Sequence, residues 1–224
     1  SKWHEDGRWK SYTDPELMEM GIKIKENIPY YVRINRFIRD IPKESIIAGN
    51  DITNLRELVQ QEMKRRGLKC KCIRCREARN KTTNLEEAKL YIDEYEASKG
   101  REYFISFEND DRSVLYAFIR LRFPSQFFSN GKFGEYKLSY PHDEIPEIQN
   151  AALVRELHTY GKLVPLNQEK KGDAAVQHMG FGKRLMQEAE RISKEHGINK
   201  VAVISGIGVR EYYRKLGYNL EGTY

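Results

Sequence analysis

A chain of 224 residues, 39% hydrophobic and 32% charged, carries enough apolar material for one large or two modest cores in water. No apolar run approaches the roughly 20 residues that a membrane-spanning helix needs, and a cytoplasmic protein is expected. The formal charge of +6 is concentrated in one short segment, a distribution that points to a polyanionic partner.

The chain opens on Ser1 with no signal-peptide pattern, which reads as an internal start. Thr13-Asp14-Pro15-Glu16 forms a capping box with proline in the first turn. Leu17, Met20, Ile24 and Ile28 follow at helical spacing, and Pro29 stops the helix. Residues 30–40 read as a strand, with Val32 and Ile34 alternating against Arg33 and Asn35, and Pro42 closes it. A second helix starts at Asn54, with Leu55, Leu58, Val59 and Met63 on one stripe and Gly67 just past its end. This order resembles the tail of an α/β unit.

Cys70, Cys72 and Cys75 hold all the sulfhydryl chemistry of the chain. Three thiols so close together are too crowded, and too odd in number, for a disulfide framework; clustered thiolates suit a soft cation. A structural Zn²⁺ takes four ligands, so a fourth comes from elsewhere, with His4, His142 and several carboxylates all open. Around the cysteines stand nine cations, Lys64, Arg65, Arg66, Lys69, Lys71, Arg74, Arg76, Arg79 and Lys81, against two acids. That net of +7 favours a nucleic-acid contact over a merely solvated helix end.

The texture then changes to strands. Residues 89–97 form one, with Leu90, Ile92 and Tyr95 inward; Ser98-Lys99-Gly100 is a turn; residues 101–108 and 114–123 complete an antiparallel meander. Residues 124–146, rich in Phe, Gly, Ser and Pro, read as a long surface insertion. Residues 151–160 form another strand, and an irregular polar segment occupies 167–173. Gln177-His178-Met179-Gly180-Phe181-Gly182-Lys183 then opens an amphipathic helix carrying Leu185, Met186, Ala189 and Ile192 on one face. Gly197 ends it, and residues 200–204 are a short apolar strand of the buried parallel kind. A helix N-terminus offers unpaired N–H groups and partial positive charge, and glycines there let a pyrophosphate approach.

Gln-x-x-Gly-x-Gly between a strand and a helix resembles the acyl-CoA loop of the GCN5-related N-acetyltransferases. A wider resemblance covers the whole chain. Tyr31 through Pro42, Asn54-Leu55-Arg56-Glu57-Leu58, Cys70-x-Cys72-x-x-Cys75-Arg76-Glu77, Arg155-Glu156-Leu157-His158, Gln177-His178-x-Gly180-Phe181-Gly182 and Val203 through Tyr218 are together similar to the catalytic subunits of Elongator. That family pairs a radical S-adenosylmethionine domain with an acetyl-CoA domain and modifies the wobble uridine of tRNA.

The resemblance implies an α/β chain in three parts: residues 1–67 as the end of a radical domain, 68–81 as a cysteine-rich metal linker, and 82–224 as an acetyltransferase fold with a mixed sheet and flanking helices. It implies acetyl-CoA as two-carbon donor, a carboxymethyl-type product, and tRNA and other Elongator subunits as partners. S-adenosylmethionine and a 4Fe-4S cluster belong to the complete protein only, because the radical motif Cys-x-x-x-Cys-x-x-Cys does not occur here. By the same resemblance Glu156, Leu157, His158 and Thr159 would pair with the pantetheine arm, and Gln177, Gly180, Phe181, Gly182 and Lys183 would cradle the pyrophosphate. Tyr213 would lie near the thioester, with Tyr212 and Tyr218 as alternatives, and His158 or Glu156 would face it. Two other functions are weighed: a protein lysine acetyltransferase, which the basic segment disfavours, and a non-catalytic zinc-stabilised tRNA-binding module, which the intact glycine loop disfavours.

Overall fold

The computed structural model describes residues 2–37, 43–46, 48–50, 52, 54–78, 85–125, 128–129, 132–133, 145–160, 180–222 and 224. The chain divides into two compact units, Ser1–Arg76 and Glu77–Tyr224. The boundary expected near residue 82, the irregular segment 167–173, and Gln177, Arg79 and Lys81 lie outside the described residues.

Four helices make up the first unit: α1 (Lys2–Glu5), α2 (Asp14–Asn27), α3 (Leu55–Arg65) and α4 (Ile73–Arg76). α2 starts on the expected reciprocal cap between Thr13 and Glu16 and ends before Pro29. Its buried face differs from the expected stripe. Gly21, Ile22 and Lys25 are buried, whereas Met20 and Ile24 are 39% and 46% exposed. Gly21 supplies the reason. A Cβ there would come within 2.7 Å of the Phe37 ring and 3.0 Å of Val59, so the bare glycine surface is where α3 and Phe37 press closest. Ile22 then joins Leu55, Val59 and Met63 in one core, with Leu17, Met18, Phe37, Ile52, Leu68 and Cys70 around it.

The strand expected over residues 30–40 does not form among its described residues. Its carbonyls are satisfied from elsewhere. Val32 accepts from the Ile73 amide at 3.0 Å, Ile34 from Arg56 at 2.8 Å, and Asn35 from Arg74 at 3.2 Å. Arginine side chains and the α4 amide thus replace a neighbouring strand.

In the second unit, five strands make a mixed sheet in the order β1-β2-β3-β6-β7: β1 (Lys89–Ala97), β2 (Gly100–Glu108), β3 (Leu115–Phe123), β6 (Ala151–Thr159) and β7 (Lys200–Val203). Two short strands, β4 (Phe128–Ser129) and β5 (Lys132–Phe133), pair with each other inside the expected insertion. Ser98 and Lys99 both take positive φ, the geometry of a two-residue hairpin turn, so Ala97 faces Gly100 directly. β6 and β7 run parallel and are joined through α5 (Phe181–Glu195), as parallel neighbours require. α6 (Arg210–Lys215) follows β7.

α5 covers one sheet face with Phe181, Leu185, Met186, Ala189 and Ile192. Phe181 stacks on Phe107 at 4.6 Å and lies over Tyr116, fixing the first turn of the helix against β2 and β3. β1 again shows the opposite phase to expectation: Leu90 and Ile92 are 40% and 43% exposed, and Tyr91, Asp93 and Tyr95 turn toward the sheet's polar face. Ion pairing decides the phase. Arg112 donates to Asp93 at 3.1 Å and to buried Glu108 at 3.0 Å, and Tyr95 donates to Glu102 at 2.7 Å.

Candidate functional site

β6 carries the site because of a one-residue irregularity. Arg120 of β3 faces Glu156, but Leu121 faces Val154, so Arg155 is left over as a bulge. Pairing with β7 also stops at Val154, opposite Val203. From Glu156 to Thr159, β6 therefore keeps β3 on one edge and has no strand partner on the other among the described residues. Its unpaired edge can accept an extended amide-bearing ligand as a further strand.

The N-terminus of α5 meets this edge. Gly180 is the cap, in the left-handed region at φ 68°. Arg184 makes the first backbone bond of the helix, to Gly180, so the amides of Phe181, Gly182 and Lys183 start the helix without intrahelical acceptors. A Cβ on Gly182 would sit 2.6 Å from the Tyr212 hydroxyl and 3.9 Å from the Thr159 methyl. The glycine is thus the contact point of α5, β6 and α6. The first turn of α5 contains no acidic residue, yet carries Lys183 and Arg184, both exposed. Two cations at the positive end of a helix dipole repel it unless an anion sits among them. Arg184, absent from the expected site, also covers the Phe107 ring at 4.3 Å; its signal in the sequence was its place beside Lys183.

The expected residues distribute unevenly around this point. Phe181 puts its ring into the core and leaves only its backbone for a ligand. His158 is exposed at the end of β6, 4.4 Å between rings from Tyr160. Glu156 is held at 3.1 Å by Arg120, which also meets the Tyr95 hydroxyl at 3.0 Å. Leu157 and Thr159 are half-buried. Tyr212 stands at the glycine contact, while the adjacent Tyr213 lines a cavity of about 260 Å³ beside β7 with Tyr218 and Arg214. Partial burial raises the Tyr212 hydroxyl above its ordinary range. Burial, and then the neighbouring Tyr212, do the same for Tyr213.

In the first unit, Cys70, Cys72 and Cys75 keep their sulfurs within 4.8 Å of one another. Hydrogen bonds from Cys70 and Cys72 favour the thiolate of Cys75, with Lys25 and Gln60 adding to the effect; Cys72, then Cys75, and then burial push Cys70 the opposite way. A compact set of three soft donors, one already biased to thiolate, fits a divalent zinc-like ion.

The basic segment is less available than its composition suggests. Lys64, Lys69, Lys71 and Arg74 are exposed. Arg65 and Arg66 both bind Glu62, and Arg66 also binds Glu19. Arg76 requires a correction: it is 2% exposed, donates at 2.7 Å to the carbonyls of Lys71 and Tyr30, and lies 4.7 Å over the Tyr30 ring. It is a structural residue, not an exposed phosphate contact.

Comparison with known proteins follows the same division. The Radical_SAM C-terminal domain family matches residues 1–65, and the Acetyltransferase (GNAT) family matches residues 173–218. The tRNA uridine(34) acetyltransferase of Methanocaldococcus jannaschii is 43% identical over 97% of this chain and 39% of its own length. Elongator complex protein 3 of Saccharomyces cerevisiae is 39% identical over 97% of this chain and 38% of its own length, and that of Homo sapiens is 37% identical over 98% and 38%. A solved structure of the archaeal Methanocaldococcus infernus Elp3, with an N-terminal deletion, superposes at a TM-score of 0.77 with 40% identity, covering 100% of this chain and 50% of that one. The chain thus spans about two fifths of the length of the curated relatives it matches.

Proposed function

The chain belongs to the family of tRNA uridine(34) acetyltransferases and Elongator complex protein 3, and on that premise we propose that it is the acetyl-CoA-binding, tRNA-facing part of an enzyme that modifies the wobble uridine. One observation carries the reading. The cationic first turn of α5, the edge of β6 with no strand partner among the described residues, and the Tyr212 hydroxyl converge at Gly182, where a Cβ would displace that hydroxyl.

The donor set matches the three parts of an acyl-CoA. The first-turn amides of Phe181, Gly182 and Lys183, with the Lys183 and Arg184 side chains, would hold the pyrophosphate. The backbone of Glu156 to Thr159 would pair with the amides of the pantetheine arm. When bound, acetyl-CoA supplies an activated two-carbon acyl group. Around it, His158 has the residue type to accept a proton from an attacking water near neutral pH. A tyrosine of the α6 pair, Tyr212 or Tyr213, would return a proton to the departing sulfur. Glu156 is tied to Arg120 and better suited to orient that strand than to act as base. Tyr213, whose ring meets that of Tyr212 edge-on at 5.2 Å, is the second tyrosine of the pair. The sequence carries no radical-cluster spacing, and no step through an iron–sulfur cluster is assigned to this chain.

Exposed Lys64, Lys69, Lys71 and Arg74 would contact tRNA phosphates, while Cys70, Cys72 and Cys75 would hold a structural zinc. The test measures acetyl-CoA loss with and without tRNA in the wild type and in a His158→Ala, Tyr212→Phe double variant, with CoA binding measured in parallel. The reading expects tRNA-stimulated thioester loss that the variant abolishes while CoA still binds. A wild-type chain that binds no CoA would sink it.

A further inference from the structure

The cysteine cluster has a fourth neighbour that the sequence does not announce. Lys25 of α2 is fully buried, and its Nζ lies 4.0 Å from Cys70 Sγ and 3.7 Å from Cys75 Sγ. Its only other described neighbour of note is the Phe37 ring, 5.6 Å from Nζ. No carboxylate pairs with it among the described residues. A buried amine set against thiols, with no carboxylate beside it, needs an explanation.

The distances supply one. In a tetrahedral zinc site, with Zn–S of about 2.3 Å and Zn–N of about 2.0–2.1 Å, the sulfur–nitrogen edge is about 3.6 Å and the sulfur–sulfur edge about 3.8 Å. The two Nζ–Sγ separations lie close to that edge length. A direct hydrogen bond to the same sulfur is shorter, as Gln60 shows with 3.3 Å to Cys75 Sγ. Lys25 thus donates to two of the thiols at separations longer than that of Gln60, and the 3.7 Å to Cys75 Sγ matches ligand-to-ligand spacing.

We propose that Lys25 Nζ is the fourth ligand of a structural Cys3Lys zinc site, completing Cys70, Cys72 and Cys75. The proposal rests on the metal reading of those cysteines. Each donor exchanges its proton for the metal, so binding releases protons to solvent. The site would fasten α2 to the turn before α4, which explains why a lysine is tolerated on a face otherwise formed by Ile22 and Gly21.

Zinc affinity measured by chelator competition in Lys25→Ala, Lys25→His and Lys25→Arg distinguishes a ligand from a counter-ion. A ligand role predicts a loss of about 100-fold or more for alanine, at or beyond the upper end of second-sphere effects, with recovery by histidine and none by arginine. Recovery by arginine and not histidine would make Lys25 a charge partner and overturn the proposal while leaving the zinc site standing. Wild-type protein that takes up no zinc would overturn both. Should the variants fail to fold, wild-type protein loaded with Cd²⁺ and isotopically labelled at lysine Nζ gives the answer alone: metal–nitrogen coupling to one lysine supports ligation, and its absence overturns it.

Discussion

Two cationic regions of this molecule contrast sharply. The segment around the cysteines is rich in Lys and Arg, yet all four of its described arginines are engaged: Arg65 and Arg66 with Glu62, Arg66 also with Glu19, Arg74 with the Asn35 carbonyl, and Arg76 with two backbone carbonyls. The first turn of α5 holds only Lys183 and Arg184, but neither is in a described ion pair and both stand at a helix's positive end. A few uncompensated charges in a preorganised place outweigh many that are already satisfied, because attraction to a ligand depends on charge not yet neutralised.

Four experiments probe that contrast, ordered by expected effect. Arg76→Ala should lower stability by about 2–4 kcal/mol in urea denaturation, since it empties the space of a buried side chain and removes its bonds to two carbonyls, with little change in tRNA affinity once folded. A stable variant with weakened tRNA binding would return Arg76 to the interface. Lys183→Glu with Arg184→Glu should weaken CoA binding by about 100-fold, equivalent to about 2.7 kcal/mol, in calorimetry. A change of less than threefold would mean that no anion binds there.

Lys71→Glu with Arg74→Glu should weaken tRNA binding by about tenfold and flatten its dependence on salt; an unchanged salt slope would exclude this surface. The smallest effect concerns pH. Hydrogen bonds from Arg65 and then Arg66 hold the Glu62 carboxyl at about 2, well below its ordinary value. A depressed carboxylate stabilises the fold fully above its unfolded pKa and loses that contribution as pH falls toward the folded one. Acid titration of Glu62→Gln against wild type should therefore diverge only below about pH 4.5. The pair is exposed, so the divergence should be slight and should vanish in high salt.

Much of the fold was legible because its signals are local. The capping box of α2, the meander of β1 to β3, β6, the glycine start of α5 and the parallel β7 all follow from patterns a few residues long. The site was legible in the same degree: Gly180, Gly182 and Lys183 sit at the α5 start, and Glu156 to Thr159 on the adjoining edge.

Other features depended on contacts between distant residues. Apolar spacing put Met20 and Ile24 inward on α2, but close packing at Gly21 rotates the helix so that they face water. Alternation put Leu90 and Ile92 inward on β1, but the Asp93–Arg112 pair selects the other face. Nothing local distinguishes Tyr212 from Tyr213; only the docking of α6 brings the Tyr212 hydroxyl to Gly182.

By itself, then, the sequence determined the order of elements, the turns and caps, the glycine-lined helix start and the clustering of three thiols. Tertiary structure alone decided which face of α2 and β1 is buried, which arginines are already paired, which tyrosine reaches the glycine, and that Lys25 stands beside the cysteines. The physical reason is the range of the forces involved. Backbone conformation and periodicity are set over a few residues, whereas steric fit and ion pairing join groups as far apart in the chain as Glu19 and Arg66, or Lys25 and Cys75.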